Sequence, residues 1–230
     1  MKNLSRSSLF IGLLCLALTT ALQSCIDYYQ YDDGYEYGKN ALVTAKIADD
    51  QTFYLQLNDS VTMLPSNISK PPFGNKEVRA LVQYYETEMY TPGYDKTIHV
   101  NWIDSILTKN TVKDLGSQNN AVYGNDPVDI VNDWVNIAED CYLTLRFRTN
   151  WGPNGRPHEV NLVTGGNKYN PYVLEFRHNA HHNNSGKIGD ALVAFNLKNL
   201  PSTEGKTVKL RLEWNSYNGK RCAEFDYRTH

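Results

Sequence analysis

The chain has 230 residues, of which 23 are basic and 25 acidic, for a formal charge of −2. No run of Lys and Arg is dense enough to neutralise phosphates, so composition gives it no nucleic-acid partner. Its length suffices for one large or two small domains with real cores, and 16 tyrosines, 4 tryptophans and 7 phenylalanines favour strands while offering surfaces on which sugars or peptides stack.

Lys2 and Arg6 give the chain a basic start, Leu9 to Leu18 form a short apolar run, and small or polar residues lead to Leu22-Gln23-Ser24-Cys25. A bilayer span takes about 20 apolar residues, so the pattern reads as a signal peptide over residues 1–24. The cysteine after Leu-x-Ser resembles a bacterial lipobox, in which the thiol of Cys25 is diacylated, the preamble is cut away and the new amino terminus is acylated. An ordinary secretory signal that leaves Cys25 a plain thiol and an uncleaved anchor are the alternatives. Several acyl chains hold at about 0.8 kcal/mol per buried methylene, so a lipidated Cys25 attaches the protein to a membrane without the rest of the chain touching lipid.

Residues 25–40 contain Asp27, Asp32, Asp33 and Glu36 among five tyrosines and no aliphatic run that could core a strand. They read as an acidic, Tyr-rich tether. The acids resemble the stretch that directs Bacteroidetes lipoproteins to the outer face of the outer membrane, and a solvated spacer accounts for them equally well.

From Ala41 the pattern has period two. Val43, Ala45 and Ile47 share a face; Phe53 to Leu57, Val61 and Met63, Val78 to Val82, and Ile98 to Trp102 follow, with breakers between them. Five short strands in this space predict a small curled barrel of the OB type over residues 41–115. A polar interval, 109–126, leads to Pro127, where the run to Ile137 reads as extended, with a short helix capped by Asp126 as the alternative. Clean alternation then returns in Leu143-Leu145-Phe147, Leu174-Phe176, Val193-Phe195-Leu197 and Val208 to Trp214, with Arg146 and Arg148 among the outward residues. Strands with one wet and one dry face predict an antiparallel β-sandwich over 125–230. The fold class is therefore all-β.

Cys141 and Cys222 remain once Cys15 and Cys25 are assigned to maturation. An exported location permits a disulfide between them. Parity opposes it, because Cys141 shares a face with Leu143 and Leu145 whereas Cys222 lies opposite Ala223 and Phe225, although a bulge would reset that relation.

The lipobox cysteine, the Asp32 to Tyr35 tether, the five-strand unit, Tyr142-Leu143-Thr144-Leu145 and Leu174-Glu175-Phe176-Arg177-His178-Asn179 together resemble the NigD-like lipoproteins of Bacteroidetes. That resemblance implies an N-terminal OB domain, a C-terminal β-sandwich and an envelope location. It brings no established reaction, ligand or cofactor.

Candidate chemistry is sparse. His178, His181 and His182 sit at a spacing that could share a metal ion, with Asp190 or His158 as a further ligand, but the run continues into Asn-Asn-Ser-Gly and reads as a solvated turn between strands. No Gly-x-Ser-x-Gly, Walker or His-Glu-x-x-His sequence appears. Glu86 and Glu88 share a strand face and could divide acid and base roles. Ser60 and Ser105, each in an Asp-Ser-aliphatic tripeptide, resemble Bacteroidetes O-glycosylation acceptors. The expectation is a non-enzymatic module, lipid-anchored in the outer membrane and facing either the surface or the periplasm, without a cofactor, that binds a protein or glycan partner. Tyr84, Tyr85, Tyr90 and Tyr94 are the candidate binding patch. An envelope glycan hydrolase with paired carboxylates in a cleft, or a structural assembly factor, is the alternative.

Overall fold

A computed structural model describes residues 38–229. The signal peptide, Cys25 and the acidic part of the tether lie outside the described residues. Among those described, no helix is long and apolar enough to cross a membrane.

Strands β1 (Lys39–Ile47), β2 (Phe53–Gln56), β3 (Thr62–Pro65), β4 (Val78–Glu86) and β5 (Lys96–Ser105) close a barrel in the order β1-β2-β3-β5-β4, the five-stranded OB-type unit that the period-two pattern predicts. Closure depends on β1. Its first part pairs with β4, Val43 opposite Ala80, and its end pairs with β2, Ile47 opposite Phe53. Opposite Gln83 and Tyr84 of β4, the register skips Asn101, so the bulge lies in β5 and bends that strand against β4. Val43, Ala45, Leu55, Met63, Ala80, Val82 and Ile98 fill the interior. The first strand begins at Lys39, so Lys39 and Asn40 belong to the barrel and not to the tether.

The sandwich is built from β6 (Leu107–Asn110), β7 (Val112–Lys113), a 3₁₀ turn (Gly116–Gln118), α1 (Asn119–Tyr123), β8 (Asp129–Ile130), β9 (Ile137–Glu139), β10 (Tyr142–Trp151), β11 (Glu159–Thr164), β12 (Val173–Asn179), β13 (Lys187–Asn196), β14 (Val208–Ser216) and β15 (Gly219–Tyr227). One sheet runs β6-β13-β10-β8, with β9 also on β10, and the other runs β15-β14-β12-β11-β7. Leu143, Leu145, Phe147, Val193 and Phe195 meet Leu162, Leu174, Phe176, Leu210 and Leu212 between them. Two details differ from the sequence reading. Residues 107–113, placed in the first domain by the 41–115 boundary, pair with β13 and β11 and so belong to the sandwich. Those two pairings and that of β12 with β14 are parallel, which makes both sheets mixed. The 127–137 run is extended without a helix, but it pairs only at β8 before looping to β9.

Ala41 to Ala45 are all buried, which a strand with one wet face cannot be. Ala41, Val43 and Ala45 point into the barrel, while Leu42 and Thr44 lie under the sandwich. Leu42 packs with Ile106, Tyr142 and Ala194, flanked by Leu81, Ile137 and Leu192. Arg79 sits fully buried at this junction and donates to Thr44 Oγ1 at 2.9 Å, Thr144 Oγ1 at 3.3 Å and Glu139 Oε1 at 2.6 Å. Burial pushes the Glu139 carboxyl above its ordinary range against the pull of Arg79. Around the rim Lys46 pairs with Asp140 at 2.7 Å, and Glu77 accepts from Tyr142 at 2.6 Å and from Lys198 at 2.7 Å. The barrel and the sandwich are thus docked through a shared apolar cluster and a satisfied buried charge.

Candidate functional site

The outward face of β10 changes character along its length. Tyr142 and Thr144 are buried against the barrel, Arg146 is half-buried, and Arg148 is exposed. Register places Leu192, Asp190 and Ile188 of β13 opposite Arg146, Arg148 and Asn150. Asp190 accepts from Arg148 Nε at 2.6 Å and Nη2 at 3.0 Å, and from Arg146 Nε at 2.9 Å. Asp133 takes a second edge of the Arg146 guanidinium. With Arg148 as the larger influence and Arg146 beside it, the Asp190 carboxyl is held down at about 2. The backbone N–H of Arg146 donates to Asn136 at 2.6 Å, which pins the loop carrying Asp133 and Trp134 to the strand.

Apolar groups stand at both ends of this array. Trp134, 60% exposed, lines a groove of about 480 Å³ with Leu81, Val135, Ala191 and Leu192. Beyond Arg148 a hollow of about 240 Å³ is bounded by Ile188, 71% exposed, and Tyr217, 44% exposed. The Tyr217 hydroxyl accepts from the backbone N–H of Asn150 at 3.1 Å and lies 3.1 Å from Thr149 Oγ1, so its ring is held in place. Between the two aromatic ends the paired guanidiniums and carboxylates present donors and acceptors held in place by one another, and Asp129 adds a carboxylate to the far hollow.

The residues singled out from sequence do not converge. His178 lies on β12, not in the turn, and is buried, with its Nε2 2.9 Å from His158 Nδ1. His158 Nε2 lies 2.8 Å from the Asn183 carbonyl, which can only accept, so Nε2 donates there and Nδ1 faces His178. Trp151 stacks on His158 with centroids 4.2 Å apart. Burial first, then His158, lowers the His178 pKa to about 4. His181 and His182, both at positive φ, form the turn closed by the Asn183 N–H to the Ala180 carbonyl at 2.8 Å. Among the described residues no group of three or more His, Cys, Asp or Glu side chains is placed to hold a metal ion.

Both candidate disulfide cysteines are free. Cys141 occupies the positive-φ corner between β9 and β10, which removes it from the face that strand parity assigned, and Cys222 is exposed on β15. The expected tyrosine patch also divides: Tyr84 is in the barrel core, Tyr85 stacks on His99 at 4.8 Å, Tyr94 packs near Tyr54 at 5.9 Å, and Tyr90 is 80% exposed. Glu86 binds Lys39 at 2.9 Å and Lys96 at 2.8 Å, and Glu88 falls beyond the end of β4, so the two do not share a strand face. On the opposite sheet a cleft of about 660 Å³ does hold two carboxylates in register, Glu175 and Glu213. Each is engaged by an arginine of its own strand, Arg177 at 2.9 Å and Arg211 at 2.8 Å. Ser60 and Ser105 are exposed. Sequence reading placed Arg146 and Arg148 outward but missed Trp134, and it considered Asp190 as a metal ligand where the structure makes it the arginines' acceptor.

The NigD-like C-terminal β-sandwich domain model matches residues 110–227, and the NigD-like N-terminal OB domain model matches residues 42–106. No curated protein matches the sequence. Among solved structures, a Parabacteroides distasonis protein provisionally described as toxin related is 35% identical with a TM-score of 0.70, covering 83% of this chain and 93% of its own. A NigD-like immunity protein of Bacteroides caccae is 17% identical at a TM-score of 0.60, covering 85% of this chain and 100% of that one. A Bacteroides fragilis protein provisionally described as a lipoprotein is 13% identical at a TM-score of 0.54, covering 84% and 99%. At the last two identities the likeness is one of fold.

Proposed function

The chain belongs to the NigD-like family, and on that premise we propose that it is a lipoprotein of the cell envelope, anchored to the outer membrane through Cys25, whose two β domains act as a non-catalytic binding module. The observation that carries the binding role is the Arg146–Asp190–Arg148 array, open to solvent and flanked by exposed Trp134, Ile188 and Tyr217. Charged side chains locked to one another on a sheet face add little to stability. Exposed large apolar groups at both ends of such an array are the mark of a surface that receives something. The anchor is supported by the Leu22 to Cys25 sequence.

Two experiments test this reading in the native host. Cys25→Ala is expected to move the protein from the membrane to the soluble fraction, and protease shaving of intact cells separates surface display from a periplasmic orientation. A photo-crosslinking amino acid placed at Ile188 is expected to form adducts that the same group at Tyr169, 99% exposed on the other sheet's side, does not. Equal adducts from both positions contradict the assignment of the groove.

A further inference from the structure

Resting on the reading of the groove as the binding surface, we infer that its ligand is a linear, neutral glycan of two or more sugar residues laid along β10. Three features select that class. The first is charge. Both guanidiniums are already committed to carboxylates, Arg148 to Asp190 and Arg146 to Asp190 and Asp133, and Asp129 lines the far hollow. An acidic ligand must break those pairs or face Asp129, and a cationic one must displace an arginine or meet Asp129 alone, with Arg148 lining the same hollow. A polyhydroxyl ligand can instead share the remaining lone pairs and N–H groups of an array already held in place by those pairs.

The second feature is the order of the groups along the groove. Protein hot spots place aromatic anchors in a dry centre with charges around the rim. Here the charges are central and the aromatic rings terminal, with Trp134 and Tyr217 at opposite ends. Their flat apolar faces suit the C–H faces of pyranose rings, while the array between them suits hydroxyls. β10 also has β13 on one side and β8 and β9 on the other, so an extended peptide finds no free strand edge there to add to. The third feature is length. From Arg146 to Asn150 the strand advances about 13 Å at roughly 3.3 Å per residue, more than one sugar ring occupies. Asp190 lines the first hollow and Arg148 the second, so the ion pair between them stands between the two, whose volumes taken together lie in the size range of small-ligand sites.

The test uses the full chain in detergent with fluorescently labelled dextran, mannan and galactomannan as neutral probes, hyaluronan and polygalacturonate as acidic ones, and fluorescence anisotropy as the readout. At least one neutral polymer is expected to bind, with at least a tenfold loss in Trp134→Ala and a loss in Tyr217→Phe smaller than in Tyr217→Ala. The acidic polymers are expected to bind no more tightly even at low salt. Circular dichroism melting of each variant separates loss of a contact from loss of fold. Binding that ignores both aromatic substitutions, or no binding by any neutral polymer, overturns the inference. The crosslinker at Ile188 distinguishes the two failures. Adducts to polypeptide that vanish in Trp134→Ala keep the groove as the binding surface and replace the glycan with a protein, whereas no Trp134-dependent adduct of any kind removes the groove reading as well.

Discussion

Two clusters of arginine and carboxylate lie on opposite stretches of the same sheet face, and they do different work. Arg79 reaches β9 and β10 from the barrel and is wholly enclosed, with Thr44, Thr144 and Glu139 as acceptors. Arg146 and Arg148 stand further along β10, where the barrel no longer covers the face, and their partners Asp133 and Asp190 leave them partly in water. The chemistry is the same in both places and the dielectric differs. A buried charge must be satisfied or the fold suffers, whereas a paired charge in water contributes little to stability and is free to meet a ligand.

The comparison is broken most directly at its buried end. Arg79→Met leaves Glu139 enclosed without its cation, so unfolding free energy in denaturant titrations is expected to fall by about 3–5 kcal/mol. Adding Glu139→Gln to the same chain should recover part of that loss. Unaltered stability of the single variant would mean that the junction is wetter than the geometry says.

The histidine pair sharpens the same contrast. His178 is buried neutral with its pKa lowered from 6.5 to about 4, so the unfolded chain takes up a proton that the folded one refuses. Stability from this group is therefore complete above pH 6.5 and is lost as pH falls towards 4, by up to about 3 kcal/mol. His178→Leu should flatten the slope of stability against pH in that window, and an unchanged slope would assign the acid sensitivity elsewhere. At the open end the expected effects on stability are smallest. Arg148→Ala and Trp134→Ala should each leave Tm within about 2 °C of the parent in thermal melts.

Much of the fold was legible because most of the barrel and sandwich strands alternate apolar and polar residues between clear breakers. Residues 107–113 were not, since a four-residue and a two-residue strand carry too little pattern to show which sheet they join. Parity reaches further along two strands than their apolar runs. Leu174 and Phe176 point inward on β12, and the same period carries His178 inward, so its place in the core could have been read from sequence. Ala80 and Val82 likewise point to Tyr84 as a core residue. The turn at Asp140 and Cys141 was hidden, because Asp140 suits the first positive-φ position but Cys141 is not the glycine that the second favours. The groove was half visible. Two outward arginines can be counted along β10, but the acceptor opposite them is set by the register of a strand more than 40 positions away, Arg148 against Asp190. Trp134 lies in a loop that no periodicity describes.

The most direct test of the whole account is the crosslinking yield at Ile188 in the doubly substituted Arg148→Ala, Trp134→Ala protein, measured in the native envelope and normalised to its folded fraction. The account predicts a protein that melts like the parent and has lost its adducts. A double variant that unfolds readily, or that keeps the full crosslinking yield, would show that the open array is part of the scaffold and that the binding surface lies on another face.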